Sequence, residues 1–90
     1  YRLDAAFPNP FNPDTRIGFG LPSDAVVEIS IYNVLGQRVR SLVGGTMKAG
    51  YHHTRWDGRN EAGRGVTSGM YFAVMHADGF RAVNKLMLTK

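Results

Sequence analysis

Cysteine is absent from the 90-residue sequence, so neither a disulfide nor a thiolate-ligated zinc ion can hold this fold together. Long apolar runs are missing too. None approaches the roughly 18 residues that a helix needs to cross a bilayer, and no membrane-spanning segment is expected. Sustained 3.6-residue periodicity is lacking, which excludes a helix of useful length. The chain opens at Tyr1 with neither methionine nor apolar leader, and on that ground it reads as an excised piece of a longer polypeptide. No internal repeat, glycine-rich phosphate loop or pair of catalytic carboxylates is visible. Clustered charge of one sign is also missing. The net charge is +4, but the basic residues stand singly from Arg2 to Lys90. A nucleic-acid groove would cluster them among aromatics, so no nucleic-acid partner is expected.

Turn chemistry and two-residue alternation are what the sequence has in plenty. Eleven glycines and four prolines punctuate a chain that is 43% hydrophobic, enough for one small core. Pro8, Pro10 and Pro13 rule out regular structure from Phe7 to Asp14 by removing backbone donors. Residues 1–14 are therefore expected to form an ordered lead-in, with Phe7 and Phe11 anchored in the core and Asn9, Asn12 and Asp14 closing Asx turns. Residues 15–90 are expected to form a single sandwich domain. Its first strand, Thr15 to Leu21, turns Ile17, Phe19 and Leu21 to one face. The second, Val26 to Tyr32, sends Val27, Ile29 and Ile31 inward with Glu28 and Ser30 outward. A turn at Gly36 leads to Arg38–Val43, and a loop bracketed by Gly44-Gly45 and Ala49-Gly50 follows. On Tyr51–Trp56, His52, Thr54 and Trp56 share one face. Met70–His76 is apolar on both faces, as befits a central strand, and brings Tyr71 into the core. Asp78-Gly79 signals a hairpin into Phe80–Leu88, where Leu86 and Leu88 point inward. These six strands, with a seventh near Val66 to Ser68, predict an all-β sandwich.

The residues that could carry chemistry do not converge in this reading. His52 and His53 are neighbours on a strand and must face opposite ways, and His76 lies on another strand. Asp57-Gly58-Arg59-Asn60-Glu61 opens like a calcium loop but has Arg59 and Ala62 where an EF-hand needs an oxygen ligand and a glycine. A hairpin turn capped by Asp57 fits better. Trp56 could be a stacking platform for sugars, but its alternation with Thr54 favours a core tryptophan. No catalytic residue, metal site or cofactor is expected, and the chain is read as non-catalytic.

The segment Phe7-Pro8-Asn9-Pro10-Phe11-Asn12-Pro13 resembles the opening motif of the type A C-terminal sorting domains of the type IX (Por) secretion system. Further segments resemble the family's later motifs in order. They are Ile31 to Val39, with Asn33 where the family more often has Asp; Ala49 to Gly58; Ser68-Gly69-Met70-Tyr71-Phe72; and the closing Lys85-Leu86-Met87-Leu88-Thr89-Lys90. The pattern is also similar to the immunoglobulin-like domain of the flagellar hook-capping protein. The resemblance implies an immunoglobulin-like sandwich of about seven antiparallel strands, acting as the C-terminal sorting module of a secreted protein. Its partners would be the outer-membrane secretion and surface-attachment machinery and an N-terminal cargo domain of the same chain. Its destination would be the cell surface or the exterior, reached through the periplasm. Lys85, Leu86, Met87, Leu88, Thr89 and Lys90 would form the recognised motif, and open sheet edges would offer backbone groups for strand addition. The alternative is a passive spacer, or a carbohydrate-binding accessory module of a secreted hydrolase.

Overall fold

Alternation sorts the side chains into an inside and an outside, and two antiparallel sheets follow from it. A computed structural model describes all 90 residues. It contains β1 (Arg2–Leu3), β2 (Thr15–Leu21), β3 (Ala25–Tyr32), β4 (Arg38–Met47), β5 (Gly50–Trp56), β6 (Gly69–Ala77) and β7 (Phe80–Leu88). One sheet has the order β1-β2-β5 and the other β4-β3-β6-β7. The fold is therefore an all-β, immunoglobulin-like sandwich of seven strands. The two-residue turn between β6 and β7 has positive φ at both Asp78 and Gly79, the pattern of a type I′ hairpin whose twist matches the strands it joins.

Between the sheets lie two apolar clusters. One gathers Phe11, Ile17, Ile31, Tyr71, Leu86 and Leu88 around Trp56, and the other gathers Val27, Ile29 and Met75 around Phe19. Leu3 and Leu42, both half-buried, pack against the two clusters and bridge them. Trp56 is wholly buried. Phe11 tilts against it at 5.5 Å between ring centroids, and Tyr71 meets it edge-on at 5.1 Å, geometries that favour aromatic pairs. Each polar aromatic finds an acceptor at the rim: Trp56 Nε1 donates to Arg59 O at 3.0 Å and Tyr71 Oη to Thr67 O at 2.7 Å. With no exposed ring face, Trp56 cannot serve as a sugar platform.

Several expectations need correction. The seventh strand is Arg2–Leu3, inside the lead-in, pairing with Phe19 and Gly20. Residues 66–68 form no strand; Val66 N bonds Gly58 O instead, and its side chain packs on the Trp56 cluster. β4 runs on through Gly44 and Gly45 to Met47, because Ala25 to Glu28 of β3 pair with this stretch in register and buried or half-buried backbone groups need partners. Phe7 is 80% exposed; the neighbouring Ala6 takes the inward position of that short extended stretch. Ser30 points away from the core as expected but is only 1% exposed. It lies in mid-sheet between Ser41 and Val74, and its hydroxyl has no hydrogen-bond partner.

Trp56→Ala should cost about 3–5 kcal/mol, the usual range for a buried aromatic truncation. Far-UV circular dichroism should show melting lowered by at least about 12 °C in a domain of this size. A drop of only a few degrees would contradict the central place given to Trp56.

Candidate functional site

The closing segment is the outermost strand of its sheet, so one side of its backbone faces no strand of that sheet. The proline-rich lead-in fills that side. Asn9 sits between two prolines that have no N–H to give, and its side-chain amide acts in place of a peptide group. Asn9 Nδ2 donates to Lys85 O at 3.0 Å, and Met87 N donates to Asn9 Oδ1 at 2.9 Å. Phe11 continues the row: its N–H donates to Met87 O at 2.9 Å, and its carbonyl accepts from Thr89 N at 3.0 Å. These bonds form a parallel bridge between Phe11 and Leu88. Upstream, Asn84 Nδ2 donates to Asp4 O at 2.6 Å. Downstream, Lys90 N donates to Ser68 Oγ at 3.1 Å.

This clasp overturns two expectations. The edge of β7 is not open for strand addition between Lys85 and Thr89. Nor does Asn9 close an Asx turn, since both ends of its amide are engaged on β7, while Asp14 instead faces Arg55 at 3.5 Å. Periodicity could not reveal Asn9, Asn84 and Ser68 as clasp residues. The only sequence signal was an asparagine flanked by prolines.

Within the closing segment, roles divide by parity. Leu86 and Leu88 are buried at 1% exposure each and join the Trp56 cluster. Lys85, Thr89 and Lys90 are exposed and Met87 is half-buried. The remaining expected core residues, Ile17, Phe19, Val27, Ile29, Ile31 and Tyr71, lie at 0 to 6% exposure. Lys85 lies on the outer face of the four-stranded sheet, opposite Phe72. Lys90 instead lines a separate groove of about 320 Å³ with Asn12, Asp57, Gly58 and Arg59. Glycine suits position 58 because its φ is +73°, a left-handed backbone that strains most side chains; a Cβ there would only touch Pro13 O and the Leu88 methyls, at 3.4–3.6 Å.

Ionisable groups elsewhere pair with one another or with the backbone. Tyr51 Oη donates to Asp4, whose carboxylate also accepts from Arg2 Nε at 2.9 Å. The tyrosine's hydrogen bond, then the guanidinium, hold the Asp4 carboxyl below its usual pKa; the same bond to Asp4 raises that of Tyr51. Tyr51 lies across Gly18, where a Cβ would overlap its hydroxyl. His52 stacks on Phe19 at 5.4 Å with Nε2 2.8 Å from Lys48 O, while His53 faces the other way. Asp57 caps its turn by accepting from Arg59 N and also pairs with Arg40 at 3.0 Å. Its carboxylate is thus already neutralised by a guanidinium.

The sequence profile of the FlgD Ig-like domain matches residues 7–79. No curated protein matches the chain in sequence. Among solved structures, dimeric latent PorU from Porphyromonas gingivalis is similar at 20% identity and a TM-score of 0.72, over 93% of this chain and 9% of PorU. FLGD from P. aeruginosa is similar at 23% identity and a TM-score of 0.60, over 82% of this chain and 59% of that one. The Pseudomonas fluorescens alkylpurine DNA glycosylase AlkC, bound to DNA containing an abasic site analog, is similar at 19% identity and a TM-score of 0.54 over 30% of its length. At such identities these likenesses establish the fold alone, and the chain spans only about a tenth of PorU.

Asn9→Ala should release two hydrogen bonds on β7, cost about 1–3 kcal/mol and speed amide exchange at Met87 more than at Met75. Uniform exchange rates across both sites would refute the clasp. Leu88→Asp should unfold the domain by burying an unpaired charge, whereas Lys85→Ala should leave the melting temperature nearly unchanged. Thermal melts of the two variants check both outcomes.

Proposed function

The chain belongs to the FlgD Ig-like domain family, and from the ordered motifs that resemble those of type A sorting domains we propose that it is a non-catalytic sorting module of the type IX secretion system. In this role it directs a secreted cargo domain of the same chain, through the periplasm, to the cell surface or the exterior. Recognition is by the outer-membrane secretion and surface-attachment machinery.

One observation carries the reading: the first and last of the resembling motifs meet in space. The Asn9 side chain and the Phe11 backbone of the opening motif hydrogen-bond the backbone of Lys85, Met87 and Thr89 in the closing motif. Motifs from opposite ends of the chain thus form one feature, with Leu86 and Leu88 setting its register and Lys85, Thr89 and Lys90 displayed. A slip of one residue would drive Lys85 and Met87 inward. An unfolded chain has no such feature, so machinery reading it would accept only a folded module. The FlgD-type sandwich suits such a role because it is a self-contained unit.

Fusions to a fluorescent cargo, expressed in a host with the type IX apparatus, test this role. Removing the last six residues should abolish surface delivery, but it also deletes two core leucines. The Lys85→Ala/Lys90→Ala double variant keeps the core and should lower delivery while melting normally. Equal delivery of all three fusions would replace the sorting role with that of a passive spacer.

A further inference from the structure

The outer face of the four-stranded sheet carries an arrangement that neither the core nor the clasp requires. Register places Arg38, Tyr32, Phe72 and Lys85 side by side across β4, β3, β6 and β7. This row is two aromatics bracketed by two cations. The next row holds Ser30, Val74 and Val83, and the one beyond it Glu28, His76 and Arg81. Along β7 the outward positions therefore read Arg81, Val83, Lys85, Met87, alternating cation and apolar group. At the end of β3, Val34 and Leu35 project from the turn with 67% and 79% exposure. Val34 joins Tyr32, Phe72, Val74, Val83 and Arg81 in lining a groove of about 440 Å³. Exposed apolar side chains bordered by cations suit a surface that meets a partner.

Charge decides what the face would accept. The chain forms five ion pairs, and none includes Arg38, Arg81 or Lys85. Glu28 is the one acid in these rows. A second copy of the same face would set cations against cations, which costs affinity. Bare polyanions or lipid headgroups would satisfy the cations but leave Val34, Leu35 and Val83 without partners. Strands lie about 4.8 Å apart, so Arg38 and Lys85 are separated by about 14 Å across the sheet; Arg81 and Lys85 are separated by about 13 Å along β7. An extended peptide with carboxylates four residues apart spans that same distance, and its middle side chain falls between them. We propose that this face binds an acidic protein segment in which an apolar side chain is flanked by carboxylates two residues to either side. Such a segment would rest its apolar group on Phe72 and Val83 and its carboxylates near the cations. The proposal holds equally for a sorting module and for a spacer, so its failure leaves the delivery test untouched.

The probe is a fluorescein-labelled heptapeptide of threonines, with glutamate at its second and sixth positions and phenylalanine at its fourth. A counterpart carries lysines for the glutamates. Binding to the 90-residue chain is followed by fluorescence anisotropy at two salt concentrations and by amide chemical-shift mapping. The acidic peptide should bind at least about tenfold more tightly than the basic one, a factor equal to about 1.4 kcal/mol, and should weaken as salt screens the pairs. Shifts should centre on Tyr32, Phe72, Val83 and Lys85. Arg81→Glu/Lys85→Glu should reverse the preference without lowering the melting temperature, and Val83→Ser should weaken both peptides several-fold. The proposal is overturned by absent binding, equal affinity for both peptides or shifts centred on β5. It is equally overturned by an unchanged preference in the double variant, or by tighter binding to heparin or phosphatidylglycerol vesicles than to the acidic peptide.

Discussion

An outermost strand leaves half of its peptide groups without a partner in its own sheet, and how those groups are satisfied governs this small sandwich. β7 holds two core leucines, so its position sets the packing around Trp56. Its free side is closed by a segment that cannot form a strand itself. Between Pro8 and Pro10 the backbone has few donors to offer, and the Asn9 side chain supplies both a donor and an acceptor at peptide-like spacing. Phe11 then provides the next two bonds and at the same residue sends its ring to Trp56. One short stretch therefore satisfies the edge and fills the core. The same economy explains why residues 66–68 need not be a strand: their polar groups serve Tyr71 and Lys90 instead.

The two faces of the four-stranded sheet have different duties. The inner one is mainly apolar, and on its two central strands Ile29, Ile31, Ala73 and Met75 lie at 0% exposure. The outer one mixes half-buried aromatics with unpaired cations and is only partly shielded. The outer face of the three-stranded sheet differs again. There Gly18 and Gly20 leave room for Tyr51 and Arg2 to lie flat, tied through Asp4, so that face is closed by its own side chains.

Much of this was legible in the sequence, for reasons that can be named. The bounds of β2 and β7 follow from strict alternation ended by strong turn residues: Pro22-Ser23-Asp24 after the one, Asp78-Gly79 before the other. Trp56 was readable as core because Thr54 and His52 share its parity. What alternation cannot carry is pairing between distant segments. Arg2–Leu3 is too short to show a period, and β4 passes through two glycines because β3 requires a partner there. Phe7 and Phe11 look alike in sequence, yet only Phe11 reaches the core, since the bridge to Leu88 sets which way it points. Of the closing segment, the buried leucines were legible from parity. The lead-in partners of its backbone were not, because Asn9 and Phe11 lie more than 70 residues away in the chain.

The bridge between Phe11 and Leu88 is parallel, and this orientation has a mechanical consequence. A load applied between Tyr1 and Lys90 draws the lead-in and the end of β7 in opposite directions along their common axis. The Asn9 and Phe11 hydrogen bonds to β7 then lie across the pull and must yield together rather than one after another, as they would if peeled from one end. The same contacts that satisfy a sheet edge at rest thereby make the sandwich resistant to being stretched from its two ends.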